Sequence, residues 1–363
     1  MSDGVVIVGG GPAGAAAAIA LASAGRPIRL IERRRATGDP ICGGFLSWRT
    51  LARLDRLGID AVALGGQRVT ALTLFAGSET ATSPLPRAAM GVSRHRLDTL
   101  LLARAAAVGA NIERGVHVRA IDDDGTLRCG AAGSIPTATL VLATGKHEIA
   151  GARRAMPARL ASDPVLGLRI RLPASPALTR LVGDAIELHL FDRGYAGLVR
   201  HEDGSGNLCL AVRTSRLAAA GGDPLALLAM LGADNPRLGE RLALADAAPR
   251  ADAIAQVPYG FVARTTLPGR WRIGDAAAVI PSLAGEGIGI ALASAEAAAR
   301  ALLNGGDAQA FQTGFARRAA APMRIADLAW RGAEHPRVAR VATRIARALP
   351  ALPRAVARAT RIA

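Results

Sequence analysis

One stretch constrains this chain more than any other. Val5-Val6-Ile7-Val8 runs into Gly9-Gly10-Gly11-Pro12-Ala13-Gly14 and then into Ala15-Ala16-Ala17-Ala18-Ile19-Ala20-Leu21. The first part is a β-branched run of buried-strand length, and the last is a strong helix former, so the glycines sit at a strand-to-helix turn. In that context Gly9 makes the tight turn, Gly11 lets backbone approach a pyrophosphate, and Gly14 lets helix and strand pack closely. Free N–H groups and the positive end of the helix dipole then face the phosphates. Gly25 closes the helix, and a second strand from Pro27 to Ile31 delivers Glu32. A carboxylate there accepts hydrogen bonds from both hydroxyls of an adenosine ribose and repels a 2′-phosphate. A glycine turn without a ligand would not need the second strand or the acid, so dinucleotide binding is the expectation.

Composition narrows the class. The chain has 363 residues, 50% hydrophobic, enough for one large or two modest folded units. A net charge of +16 raises the question of nucleic acid, but Lys146 is the only lysine among 45 basic residues and aromatics are 3%. Without a basic stripe interleaved with stacking residues, no nucleic-acid partner is expected. Cys42, Cys129 and Cys209 are an odd, scattered set, which argues against a disulfide framework or a zinc site. Asp122-Asp123-Asp124-Gly125 reads as a solvated hairpin turn, and no metal site is expected. The first strand starts too early to leave room for a signal peptide, and the apolar stretches 13–24 and 276–299 are rich in alanine and glycine and interrupted. The expectation is a soluble, reduced, cytoplasmic protein.

In chain order, Ser47 caps a helix running to Leu57, and Ser93 caps another from Arg94 to Val108. Gln67 to Phe75 and Glu79 to Ser83 alternate as strands, and Thr139 to Ala143 is a buried strand ending at Thr144-Gly145. From Ser162 the pattern changes to period-two segments at Val165–Leu172, Ile186–Phe191, Gly197–Arg200 and Leu208–Arg213. The expected architecture is α/β: a Rossmann-like dinucleotide-binding domain with an inserted mixed and antiparallel β-sheet substrate domain and a helical C-terminal tail. Its boundaries are expected at 1–66, 93–160 and 261–321 for the nucleotide domain, 67–92 and 161–260 for the substrate domain, and 322–363 for the tail.

Glycine chemistry returns in Trp271-Arg272-Ile273-Gly274-Asp275-Ala276-Ala277-Ala278-Val279-Ile280-Pro281-Ser282-Leu283-Ala284-Gly285-Glu286-Gly287-Ile288, ahead of a helix from about Gly287 to Leu303. With the opening fingerprint, this segment resembles the flavoprotein superfamily of p-hydroxybenzoate hydroxylase and geranylgeranyl reductase. The resemblance implies that Gly9, Gly11, Pro12, Ala13, Gly14, Glu32 and Arg33 hold the ADP half of FAD. It implies that Gly274 and Asp275 hold the ribityl chain, and that Pro281, Gly285, Gly287 and Ile288 lie near the pyrimidine edge. Arg94, which with Leu97, Asp98 and Leu101 resembles a helix of both branches, joins Cys42, Gly43, Thr144 and Gly145 in the expected cofactor set. Cys42-Gly43-Gly44 resembles the reductase branch, where a Cys-Gly pair lies beside the flavin. The reductases' Tyr-x-Trp-x-Phe-Pro stretch reads Tyr195-Ala196-Gly197-Leu198-Val199-Arg200 here and keeps only the tyrosine.

The expected activity is FAD-dependent oxidoreduction of a hydrophobic small molecule. Hydride-transfer reduction of an isoprenoid or polyketide-like C=C bond is favoured, with an O2-dependent aromatic hydroxylase and a non-catalytic flavin-binding protein as alternatives. No second dinucleotide fingerprint is present, so NAD(P)H is expected as a transient electron donor. Cys42, His189, Tyr195 and Tyr259 are the candidate acids or orienting groups, and Phe45, Leu46, Trp48, Phe191 and Phe261 the candidate apolar contacts. In the tail, Arg337, Arg340, Arg344 and Arg347 recur at helical spacing while Val338, Val341, Ile345 and Leu349 cluster on another side. Two placements are open for it: packed on its own core with the arginines wet, which is favoured, or resting as a peripheral element on an anionic membrane.

Overall fold

The computed structural model describes residues 4–247 and 249–362. The nucleotide sheet has five parallel strands in the order Arg270–Arg272, Leu140–Leu142, Val5–Val8, Ile28–Glu32, Asn111–Arg114. Val5–Val8 sits in the middle and is buried throughout, as its unbroken apolar run requires. The helix Pro12–Ser23 that follows it is apolar on every side and is buried between the sheet and the helices Arg94–Ala107 and Gly287–Leu303. Its alanines keep the helices close and place the glycine turn and the start of Gly287–Leu303 on one side of the sheet.

The second sheet has eight strands in the order Asp252–Ile254, Val165–Leu172, Gly206–Arg213, Gly194–Arg200, Ala185–Phe191, Gln67–Ala76, Glu79–Gly91, Phe45–Leu46. All of its pairs are antiparallel except Ala185–Phe191 with Gln67–Ala76. One face carries Leu188, Leu190 and Tyr195 toward the nucleotide side. The other carries Phe191 into a separate core with the helices Pro176–Val182 and Pro224–Asp234. Glu79–Gly91 runs well past Ser83 through two prolines, and the register shifts between Val69 and Ala71, where Pro84 stands opposite. Ser47 and Ser93 cap their helices as expected, accepting from the Thr50 and Arg96 amides at 3.4 and 3.0 Å.

The C-terminal region differs from the expectation in two ways. Position 322 is not a boundary, because the helix Ala308–Ala333 runs unbroken through Pro322 and packs on Gly287–Leu303. The helix Pro336–Ala348 does pack on the core, but through Ala339, Thr343 and Ala346; both its aliphatic row and its arginines are left at the surface. Among the described residues no helix is long and apolar enough to cross a membrane.

Candidate cofactor and active site

The two sheets enclose a cavity of about 890 Å³, a size typical of cofactor and ligand sites. Gly9, Gly11, Pro12, Ala13, Glu32 and Arg33 line one end of it, and Gly274, Asp275, Gly285, Gly287 and Ile288 another part. Cys42, Gly43, Arg94, Thr144, Gly145, Tyr195 and Tyr259 also line it. Two expected members do not. Gly14 acts in packing: a Cβ there would lie 1.9 Å from the Gly9 carbonyl oxygen. Pro281 shapes the turn before Ser282–Ala284 without facing the cavity. Gly9 adopts φ +108°, and a Cβ on it would lie 2.3 Å from the Ala143 carbonyl oxygen, so only glycine makes this turn.

Glu32 is anchored where its strand ends. Its two carboxylate oxygens accept from the Gly10 amide at 2.7 Å and the Arg34 amide at 2.9 Å. The helix Pro12–Ser23 has no capping side chain, and neither does Gly287–Leu303, so both leave first-turn amides free at the cavity wall. Arg94 is gripped by Asp98 through two bonds of 2.9 and 2.7 Å, and its guanidinium comes within 3.4 Å of where a Gly11 Cβ would be. Burial opposes its charge, but Asp98 outweighs burial and holds the arginine firmly protonated.

Lys146 is a site residue that sequence reasoning missed, although its being the sole lysine was a signal. It lines the cavity two residues past Thr144. Burial disfavours its ammonium, yet its pKa is raised, with the Asp275 carboxylate among the groups that favour the charged form, so it carries a positive charge into the cavity. The Asp275 backbone carbonyl accepts from Arg154 at 3.0 Å, while its carboxylate accepts no hydrogen bond from the described residues.

The loop bearing Cys42 is strapped to the second sheet. Arg169, nearly buried, donates to the Asp39 carboxylate and carbonyl at 2.9 Å each and to the Pro40 carbonyl at 3.3 Å. It also holds Asp252 at 2.5 Å. Its cross-strand partner Cys209 donates to the Cys42 carbonyl at 3.2 Å, as does Asn207 at 2.9 Å. Burial, and then the neighbouring Cys42, push the Cys209 thiol up to about 12, so it stays protonated. Arg169→Met is expected to leave Asp39 held by Arg171 alone and Asp252 by the exposed Arg250 alone, loosen the loop, and raise the rate at which a thiol reagent modifies Cys42 in the folded protein. An unchanged rate would show that the strap does not hold the loop.

Three hydroxyls converge on the other wall. Tyr195 on strand Gly194–Arg200 and Tyr259 each lie within hydrogen-bond distance of Ser282 Oγ, at 2.5 and 2.6 Å. Burial raises both phenol pKa values, so both remain O–H groups. Ser282 went unnamed in the sequence reading because its signal was only its place between Pro281 and Gly285.

His189 does not reach this site. Strand alternation turns it to the opposite face, where it stacks on Phe75 at 4.6 Å. There it bonds Glu187 at 3.2 Å, and Glu187 in turn holds Arg241 at 2.7 Å. Burial lowers its pKa, with Glu187 only partly opposing. It is part of a buried polar network and not a catalytic candidate. The apolar lining is likewise mostly different from the aromatics expected: Phe45 faces the cavity with Ile186, Leu188 and Val199, whereas Leu46, Trp48, Phe191 and Phe261 do not.

Residues 3–129 match a family model described as FAD binding domain. The chain is 30% identical over 318 residues to menaquinone reductase of Mycolicibacterium smegmatis, covering 83% of this chain and 76% of that one. It belongs to the superfamily of FAD-dependent oxidoreductases that the opening fingerprint resembles. A shorter likeness, 36% identity over 120 residues, links this oxidoreductase to the chloroplastic geranylgeranyl diphosphate reductase of rice, Oryza sativa subsp. japonica, covering 32% of this chain and 25% of that one. Among solved structures the flavin-dependent brominase Bmp2 superposes with a TM-score of 0.79 over 99% of this chain and 93% of that one, at 18% identity, which speaks for the fold alone.

The cavity fits FAD. Two uncapped helix starts, the Arg94 guanidinium, a carboxylate at Glu32 and an unengaged carboxylate at Asp275 match the phosphates, ribose and ribityl hydroxyls in chemistry. Bound there, the flavin supplies hydride and electron transfer; the protein supplies orientation, charge and dryness. Asp275→Ala is expected to lower flavin retention about tenfold or more by removing that charged hydrogen-bond acceptor. Its melting curve in the flavin-free form should stay unchanged. Full flavin occupancy in the variant would take Asp275 out of the site.

Proposed function

We propose that this oxidoreductase reduces a C=C bond of a hydrophobic, isoprenoid-bearing molecule, with NAD(P)H as the transient donor of hydride to the flavin. The observation that carries this reading is the apolar wall of Ile186, Leu188 and Val199 beside the Tyr195–Ser282–Tyr259 hydroxyls in one cavity. Reduction of a double bond needs a hydride on one carbon and a proton on the other. The wall suits an isoprenoid chain, and a neutral hydroxyl cluster suits the proton. The names of the long and short relatives, a menaquinone reductase and a geranylgeranyl diphosphate reductase, support the same pairing of reduction with isoprenoid molecules.

In this scheme both tyrosines donate to Ser282, which leaves the serine proton directed into the cavity. Lys146 balances negative charge that develops near Asp275 and Tyr259. Ser282→Ala is expected to lower kcat by about 10²-fold, the usual worth of a positioned proton donor, while the visible flavin spectrum is retained. Unchanged kcat would remove the hydroxyl cluster from the chemistry. Oxygen tests the reaction class: turnover of NAD(P)H with menaquinone or a geranylgeranyl compound under argon, with two hydrogens gained in the product, is the expected result. A product carrying oxygen from labelled O2 would establish the hydroxylase reading instead.

A further inference from the structure

The helix Pro336–Ala348 is turned the unexpected way round. Its small residues Ala339, Thr343 and Ala346 are buried against the strand Glu79–Gly91 and its neighbours, while Val338, Val341, Ile345 and Leu349 stand 50%, 53%, 42% and 60% exposed. Spaced three to four apart, these four form one continuous aliphatic row on the surface. Arg337, Arg340, Arg344 and Arg347 form a second row beside it, by the same spacing. From His335 to the C-terminus there are seven arginines and no Asp or Glu. Glu79 takes up Arg344 and Arg347, at 2.7 and 3.1 Å, and Glu286 takes up Arg361 at 2.5 Å. Arg337 and Arg340 form no ion pair among the described residues, and Leu352, 47% exposed, extends the apolar surface past the helix end.

We propose that this face docks on an anionic phospholipid surface, the aliphatic row entering the headgroup boundary and the arginines meeting lipid phosphates. The charge decides the partner. Arg337 and Arg340, unpaired among the described residues and followed by no acidic residue to the end of the sequence, stand beside the aliphatic row and complement a sheet of phosphates. The row has no aromatic residue of the kind that anchors protein interfaces. The surface is physically apart from the cavity, whose lining includes no residue of this helix, so membrane docking stands or falls independently of the reaction proposed above.

The test is co-sedimentation of the FAD-loaded full chain with vesicles of phosphatidylcholine containing phosphatidylglycerol, and with vesicles of phosphatidylcholine alone, at low and high salt. Binding to the anionic vesicles that weakens with salt is expected. The pairs Val341→Ser/Ile345→Ser and Arg337→Gln/Arg340→Gln should each weaken it by about tenfold or more. Because these side chains are exposed, the flavin spectrum and melting temperature of both variants should match the parent. The proposal is overturned if the parent stays in the supernatant with anionic vesicles, or if both variants bind as well as the parent. It is also overturned if sedimentation velocity finds a dimer that Val341→Ser/Ile345→Ser dissolves while no vesicle binding occurs.

Discussion

Arg361→Met is expected to destabilise the protein by about 3–5 kcal/mol, the cost of stripping one partner from a buried ion pair. Glu286 is 1% exposed at the start of the helix Gly287–Leu303, and Arg361 is its only cationic partner among the described residues. The same guanidinium donates to the Gly285 and Ala284 carbonyls at 3.0 and 2.8 Å and lies over the rings of Phe45 and Trp48. Burial already raises the Glu286 pKa against the opposing pull of Arg361, so without the arginine the carboxyl takes up a proton or the turn opens. Denaturant unfolding checks the loss. The double change Glu286→Met/Arg361→Met should recover most of it, because no orphan charge is left behind. Equal stability of Arg361→Met and the parent would refute the account. The flavin should also be lost more readily from Arg361→Met, since Gly285 and Gly287 line the cofactor cavity on either side of Glu286.

Gly14→Ala is expected to yield a protein that retains no flavin and is less stable by about 3 kcal/mol or more. One added carbon would sit 1.9 Å from the Gly9 carbonyl oxygen and 3.1 Å from the Ala143 side chain, both in the buried centre of the nucleotide domain. Neither neighbour is a flexible side chain that can swing aside, so the helix Pro12–Ser23 must move off the strand and take its free amides out of line with the phosphates. Gly314→Ala is the control: the site has open space around it and lies inside a helix, so the change should stabilise by about 0.5–1 kcal/mol and leave the flavin in place. A yellow Gly14→Ala protein of normal stability would mean that the close packing of this turn is not required.

Much of the cofactor site was legible because its elements are local. Val5–Val8, the glycine turn, the alanine helix and Glu32 follow one another within about thirty residues, and each has a backbone reason to be where it is. The helix Gly287–Leu303 was equally plain, since its apolar run begins where glycines end. His189 shows the limit. Alternation along Ile186–Phe191 puts it opposite Ile186, Leu188 and Leu190, but which face meets the cavity depends on what the sheet packs against, and that is decided by Arg241 and Phe75 far along the chain. Ser282 and Lys146 were missed for the same reason: their worth lies in neighbours from distant strands and loops.

The C-terminal helices make the contrast sharpest. Residue spacing alone identifies Pro336–Ala348 as a helix with separate aliphatic and basic rows, because helical geometry is a property of neighbouring residues. Which row is buried is not such a property. It depends on whether a flat sheet face accepts bulky or small side chains, and here the close approach to Glu79–Gly91 admits only Ala339, Thr343 and Ala346. Short-range order is therefore written in consecutive residues, while the pairing of Arg361 with Glu286 and the exposure of the aliphatic row arise only when segments far apart in the chain compete for the same surface.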